Sequence, residues 1–571
     1  MATIQPKITN GHKYWYIVES RRVNGKPRPV VLEYLGKADD LLKRLQSDND
    51  YKLKSYSHGH TASLLDLCEK LGICSIINEH AESQRSYFPD MIIRNNLTVG
   101  GTLMLAIISR ACSPTSKRDF SNWAKRTSLP YMLGISTSKV DSQHFWDMMD
   151  CMPPEAIVSA EAGIVKKVSS LFELDTDSIL YDTTNYFTFI DTENKKADIA
   201  KRGKNKQKRN DLRQVGLALA VTRKDMIPVY HHSYEGNMAD STVFKNVLKN
   251  IVDRMASLGL DISSQTMVFD KGVNSKINLD YVRSLGLNFV GALSPSHNKG
   301  LVSDAEHSLL ELGDGAYYRT RRTIWGIDMT AVVYVSNRLS IGVIRNIYAN
   351  VEKCDSEIAK MNSAVDKPRA RKKTSKQLTE SVQKLLKAHN AANFISFNIL
   401  DGDKPYIDHS IDYESFAKAE DDAGIRIIMT TRHEWSAYDI VNTYFGQASI
   451  EESFKNMKAT HHMTLRPQYH WTTQKIRVHN FCCVMGYLLN ALLYKQAREN
   501  AKFAGSMSTF LEILDNVRLG SVIQNNGKRK KSLNVKYSVE IPEEPALPFI
   551  DLFKLDELIT NKPKIAGLSK Y

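Results

Sequence analysis

Around residue 178 the chain changes its period. From about residue 55 up to that point, apolar residues recur every three or four positions. After it come short continuous apolar runs, and two of them, Ser178-Ile-Leu-Tyr-Asp182 and Thr266-Met-Val-Phe-Asp270, end on an acid. Runs this short and this apolar read as strands buried on both faces. Further strands are expected at 186–190, at 215–221 continuing into 227–230, and at 288–293 after an amphipathic stretch at 278–285. Strands interleaved with helices argue an α/β sheet. Ligand-facing residues collect at the carboxyl ends of such strands, which makes Asp182 and Asp270 candidate site residues. The plain alternative is a turn-opening Asp, and Asp270-Lys-Gly272 reads as a turn.

A third acid lies far downstream, in Tyr444-Phe-Gly-Gln447-Ala-Ser-Ile-Glu451-Glu-Ser-Phe-Lys455-Asn-Met-Lys458. Steps of three, four and seven residues return to one face of an α-helix with about 3.6 residues per turn. One helix is therefore expected to align Tyr444, Gln447, Glu451 and Lys458, with Lys455 one turn after the acid. Glu and Lys along a helix are equally the mark of a solvated face. The two strand-end acids decide between these readings. Two Asp on neighbouring strands and a Glu from a packed helix form a hard-oxygen set that favours Mg²⁺ or Mn²⁺ over zinc. Three carboxylates together repel one another, and two divalent ions about 3.5–4 Å apart relieve that repulsion. Such an ion pair suits phosphodiester chemistry.

The charge balance points to the same substrate. Lys and Arg exceed Asp and Glu by 14 over 571 residues, a surplus suited to polyanions. Residues 195–213 hold nine Lys or Arg against two Asp, including Lys201, Arg202, Lys204, Lys208 and Arg209. This is the composition of a phosphate-binding loop or, more plainly, of a solvated one. The seven cysteines are scattered, with no Cys-x-x-Cys pair, so neither a zinc site nor a redox motif is indicated. The N-terminus lacks the apolar core of a signal peptide, and the apolar run 481–494 reads as a buried helix too short for a bilayer. A soluble cytoplasmic protein with no membrane partner is expected.

Six segments emerge from the patterning: a small β module (1–50), a helical domain that is one candidate for DNA-end binding (51–172), the first part of the sheet domain (173–300), and a β-rich insertion with a basic helical stretch (301–435). The Glu451 helix and closing helices (436–500) and a mixed tail, a candidate for dimerisation or DNA contact (501–571), complete the chain. Within the insertion, strands are expected at 316–320, 330–335, 341–348, 394–400 and 425–430. Candidate DNA-contact features include the basic-aromatic patch Thr115-Ser-Lys-Arg-Asp-Phe-Ser-Asn-Trp123 and the basic clusters 367–373 and 528–531.

At this point the residues resemble a known family. Tyr444-x2-Gln447-x3-Glu451-x6-Lys458 is similar to the Tyr-x2-Arg-x3-Glu-x6-Lys signature of the IS-four family of bacterial insertion-sequence transposases. The segments around Asp182 and Asp270 resemble those carrying that family's first and second Asp, and Gly236-Asn-Met-Ala-Asp240 matches an element between them. Arg466-Pro467 and His479 resemble the basic tail that follows. The resemblance implies a ribonuclease H-like mixed sheet with flanking helices, interrupted by a β-rich insertion and preceded by N-terminal β and helical modules. It implies a DDE transposase in which Asp182, Asp270 and Glu451 are catalytic and bind two Mg²⁺ or Mn²⁺ ions. Tyr444, Gln447 and Lys458, with Lys455 and Arg466, would hold phosphates. Partners would be double-stranded DNA, as terminal inverted repeats and target, and a second copy of the chain, acting at the bacterial nucleoid. Gln447 departs from the family's Arg and lacks its charge and bidentate fork. A metal-dependent nuclease on the same fold, or a domesticated DNA-binding derivative, would share most of these features.

Overall fold

The computed structural model describes residues 2–9, 11–23, 26–39, 51–81, 94–204, 209–306, 308–365, 374–402, 404–458, 465, 469–525 and 533–565. The clusters 367–373 and 528–531, as well as Lys208 and Arg466, lie outside the described residues. The chain opens with three antiparallel strands, β1 (Ala2–Thr9), β2 (His12–Val23) and β3 (Lys26–Lys37), which form a sheet of their own. Next, β4 (Tyr51–Ser57) leads into helices Gly59–Leu71, Ile73–His80, Val99–Cys112 and Pro154–Leu171.

The central sheet begins with β5 (Ser178–Thr188), β6 (Lys201–Arg202), β7 (Arg213–Thr222), β8 (Pro228–Glu235), β9 (Thr266–Phe269) and β10 (Asn288–Leu293). Across the sheet the order is β8-β7-β5-β9-β10. The first three strands are antiparallel, and β9 and β10 run parallel to β5. This is the ribonuclease H-like arrangement. Strands β11 (Leu310–Leu312), β12 (Gly315–Ile324) and β13 (Ile327–Ser336) continue the same sheet. They join it through β16 (Ile425–Thr430), which pairs antiparallel with both β10 and β13.

Between β13 and β16 the chain makes a separate small body. It contains helices Asn337–Val365, Ser375–Ala388 and Tyr413–Asp421 and the hairpin β14 (Ile395–Leu400) and β15 (Tyr406–Ile411). Val351, Cys354, Ile358, Leu378, Val382 and Phe416 belong to its own core, distinct from the main one. The expected strand at 341–348 is instead the start of the helix Asn337–Val365. Its β-branched residues mimic a strand locally, but Ile347, Val351, Cys354 and Ile358 recur at helical spacing and line that core. A separate strand at 186–190 is not found either. β5 runs unbroken to Thr188, because β7 pairs with it all the way from Ile179 to Thr188.

The helix Thr473–Asn500 is the axis of the fold. Its middle, from Val478 to Leu493, is buried on every side and almost wholly apolar, as an enclosed helix must be. Among the described residues it alone has the length and hydropathy to cross a membrane, longer than the sequence suggests, but 94% of its apolar window is buried within the protein. Its two buried asparagines are satisfied internally. Asn480 donates to Ser233 Oγ at 2.8 Å and accepts from the Tyr186 hydroxyl at 2.6 Å, tying the helix to the sheet. Asn490 donates to the Ala111 carbonyl at 3.0 Å, and its Oδ1 lies 2.8 Å from His60 Nε2. His479, expected in a basic tail, is buried in this helix, its ring tilted against that of His470 with centroids 4.6 Å apart. Burial and the nearby Arg110 and Lys117 hold its imidazole well below the usual histidine range. The basic-aromatic patch near residue 117 turns its aromatic side chains inward, while Ser116, Arg118, Asp119 and Asn122 stay exposed. Phe120 and Trp123 are buried, and Lys117 Nζ lies 2.9 Å from His470 Nε2.

After this helix, the helix Met507–Asn516 and strands β17 (Arg518–Asn525) and β18 (Leu533–Val539) return to the chain's beginning. β17 pairs antiparallel with β4, and the Gly59 amide donates to the Val517 carbonyl at 3.0 Å. A side chain on Gly59 would collide with the Leu514 carbonyl, so a glycine is required at this crossing.

Candidate active site

The parallel ladder between β5 and β9 ends at the pair Tyr181 and Phe269. Asp182 and Asp270 are the next residues on the two strands, so register alone sets them side by side. Asp182 is not at a strand end, since β5 continues for six more residues toward β7. It stands instead where the parallel partner leaves. The two acids are held alike. Asp182 Oδ1 accepts from the Thr183 amide and Asp270 Oδ1 from the Lys271 amide, both at 2.7 Å. Each carboxylate is thereby fixed by its own backbone.

Glu451 comes from the helix Ala448–Lys458. The opposite face of that helix is apolar: Ile450, Phe454 and Met457 are buried, and buried Ser453 accepts a 2.8 Å hydrogen bond from Tyr487 on the axial helix. Burial of this face turns Glu451 outward. The expected single helix from Tyr444 to Lys458 is in fact two. Helix Ala437–Phe445 ends before Gly446, and the chain passes through Gln447 with i→i−3 hydrogen bonds, Gln447 N to Tyr444 O at 3.0 Å and Ile450 N to Gln447 O at 3.1 Å. The tightened turn bends the path yet leaves Tyr444, Gln447, Glu451 and Lys458 on one wall.

That wall and the two Asp enclose a cavity of about 1280 Å³. Asp182, Asp270, Glu451, Tyr444, Gln447, Lys455, Lys458 and Lys204 all line it. Lys201, Arg202 and Arg209 do not. The first two form the short edge strand β6, with Arg202 donating to Thr192 Oγ1 at 2.9 Å, and Arg209 is forked onto Asp211 at 2.8 and 2.9 Å. Three groups that the sequence reading did not place in the site also line the cavity: Asp240, Arg426 and Lys271. Asp240 had a signal, the Gly236-Asn-x-x-Asp240 element. It opens the helix Asp240–Ser257, and Thr183 Oγ1 donates to it at 2.7 Å. Arg426 had none, because only the pairing of β16 brings it near.

The electrostatics are those of crowded acids. The Asp182 carboxyl is pushed up to about 7 by burial and by the charges of Asp270, Glu451 and Asp240, against the opposing pull of the Thr183 amide. The Tyr444 hydroxyl is pushed up to about 12 by burial and by Asp270, toward which it points at 3.5 Å. Lys458 bonds Thr184 Oγ1 and approaches the Asn185 carbonyl at 3.4 Å, bridging the helix to β5. Gln447 is only 9% exposed, and its Nε2 has no hydrogen-bond partner. The donor set fits a hard divalent cation: four carboxylates line one cavity, and burial and the charge of the other three hold Asp182 against ionisation. Asp182, Asp270 and Glu451 share the cavity without converging on a point. Among the described residues no three His, Cys, Asp or Glu side chains close to the spacing of a preformed metal cage.

Residues 3–56 match the family described as IS1634 family transposase, N-terminal domain. Residues 187–485, just over half the chain, match the family described as transposase DDE domain. The second match takes in Asp270 and Glu451 and begins shortly after Asp182. No curated protein matches the sequence. Among solved structures, a piggyBac transposase synaptic complex with hairpin DNA aligns over 79% of either chain, at 9% identity and a TM-score of 0.38. A likeness that loose supports no residue-level statement.

Proposed function

The chain belongs to the DDE-domain transposases, and on that premise we propose that Asp182, Asp270 and Glu451 hold its divalent metal ions. The observation that carries this is the register: two Asp side by side where the parallel ladder ends, facing a Glu across one cavity. Two Mg²⁺ or Mn²⁺ ions bound there would supply a polarised nucleophilic oxygen and charge neutralisation at the leaving 3′-oxygen. Everything else falls to the chain. The Thr183 and Lys271 amides fix the two Asp in place before any ligand arrives. Lys458, Lys455 and Lys204 place positive charge where phosphate oxygens must sit. Gln447 presents an unpaired donor to the same wall, and Tyr444 positions Asp270.

The reaction is strand cleavage followed by strand transfer. Water breaks the phosphodiester at the element end and frees a 3′-hydroxyl. That hydroxyl attacks a target phosphate, forming one phosphodiester and releasing the target's own 3′-oxygen. The substrates are the terminal inverted repeats and a target duplex. Pairing two ends calls for two copies of the chain, working where the bacterial chromosome lies. The Tyr444–Lys458 arrangement supports an IS-four type of active site, while the N-terminal match is to the IS1634 group.

Incubating the protein with Mg²⁺ and duplexes carrying the repeats that border its coding sequence tests this. Joined products are expected from the wild type, and neither cleavage nor joining from Asp182→Asn, Asp270→Asn or Glu451→Gln. Cleavage without joining would mean a nuclease. Unchanged cleavage by the three variants would remove them from the chemistry.

A further inference from the structure

The N-terminal sheet has a property that the catalytic body does not share. It pairs with no other strand among the described residues, and Val18 is its only fully buried described side chain. A folded module so thinly covered has a binding surface rather than a core. Its charge names the partner class: residues 2–37 carry seven Lys or Arg and two Glu.

The register sorts these charges by face. Residues opposite one another in an antiparallel ladder project to the same side. One side presents the row Lys7–Tyr14–Lys37 and, next to it, the row Gln5–Tyr16–Tyr34. The Tyr rings pack together, with Tyr34 at 6.0 Å from Tyr14 and 5.0 Å from Tyr16. Both acids fall on the other side, Glu19 in pair with Arg21 at 2.7 Å and Glu33 opposite Ile17. That other side also carries the exposed Ile4 (57%) and Ile8 (72%). One face is thus free of acids and rich in hydroxyl, amide and ammonium donors, and the other is mixed and apolar.

We propose that the Lys7–Tyr14–Lys37 face of the N-terminal sheet docks in the major groove of duplex DNA at the element ends. Three strands spaced about 4.8 Å apart span roughly 10 Å, within a groove about 12 Å wide that sheets are known to enter. Lys7 and Lys37 on the outer strands face the phosphate walls. Tyr14 and Tyr16 on the central strand face the base edges, and Gln5, beside Lys7 on an outer strand, reaches in toward them, where an amide makes paired hydrogen bonds to adenine. The proposal rests on the DNA-transposase assignment but not on the catalytic triad.

The test uses the full chain without divalent metal. Fluorescence anisotropy reads binding to a duplex of the inverted repeat that borders the coding sequence, and to a scrambled duplex of equal length, over a salt series. Lys7→Ala with Lys37→Ala is expected to weaken end binding at least tenfold and to reduce the salt slope by about two. Lys13→Ala with Arg28→Ala removes the same charge from the opposite face and is expected to stay within twofold of wild type. Gln5→Ala is expected to lower the preference for the end over the scramble with the slope unchanged. Circular dichroism and melting confirm that each variant is folded. Equal losses from the two charge pairs, or none from the first, overturn the proposal. So does a fall in dimer mass by sedimentation with DNA binding intact, which would make the face a contact between copies. A wild type that binds and cuts the end while Lys7→Ala with Lys37→Ala does so equally well defeats the sheet assignment alone. A wild type that neither binds nor cuts defeats the transposase reading as well.

Discussion

Protonation of Asp182 should govern metal binding. In the metal-free protein its carboxyl sits near 7, against an ordinary value of 3.8. Each unit is worth about 1.4 kcal/mol, so ionising it in place costs at most roughly 4 kcal/mol, a ceiling because the half-buried carboxylate is partly screened by solvent. The sign follows from the raised value. A group held protonated by the fold contributes its stability fully below the unfolded value, and that stability is lost as pH rises through about 7. The metal-free protein should therefore lose stability between about pH 4 and 7 through this residue, and metal should restore it above 7. Binding needs the carboxylate, so with a midpoint near 7 the apparent affinity for Mn²⁺ should be about tenfold weaker at pH 6 than at pH 8, and about tenfold weaker again at pH 5. Glu451→Gln removes one of the charges that raise Asp182, so the break should move to lower pH even as affinity falls. Titration calorimetry with Mn²⁺ across pH 5–8, beside melting curves with and without metal, measures all of this. A flat affinity across that range, or a break unmoved by Glu451→Gln, would refute the reasoning.

Three other outcomes can be checked more simply. Lys458→Met should slow cleavage by roughly tenfold to a hundredfold, the value of about 1.5–3 kcal/mol for a hydrogen bond to a charged group, read in single-turnover kinetics on a cut-site duplex. Gln447→Leu should raise folding stability by about 1 kcal/mol in urea, because it removes a buried donor without a partner, while weakening DNA cleavage. Glu161→Gln should destabilise the protein by about 3–5 kcal/mol in the same urea assay. Its carboxylate lies buried between His231, at 2.5 Å, and Arg254, at 3.4 Å, and neutralising it leaves a buried cation unpaired.

The sheet and the two Asp-bearing strands are legible in the sequence because their apolar runs are short, bounded and locally complete. Other features are set at a distance. The break at Gly446 and Gln447 is invisible to periodicity, because a switch to i→i−3 bonds over a few residues shifts the path without disturbing the spacing of Tyr444, Gln447 and Glu451 along the wall. The stretch 341–348 misleads for the opposite reason: its β-branched residues speak locally for a strand, and only the core made with Leu378 and Phe416 chooses the helix. Lys117 looks like a surface cation until His470, more than 350 residues later in the chain, meets it inside. Arg426 lines the cavity because β16 crosses back to β10, a pairing no local pattern announces.

The pairing of β4 with β17 joins segments some 463 residues apart. At ribosomal speeds of about 5–20 residues per second, β4 leaves the ribosome roughly 25–90 s before its partner exists. Through that interval it is an open edge, and the helix Gly59–Leu71 lacks the backbone against which Gly59 is fitted. The axial helix that seats the Glu451 helix is also made late. A DNA-cutting cavity is therefore absent for most of synthesis and assembles only near its close, so shortened translation products should be substrates for chaperones and proteases rather than active nucleases.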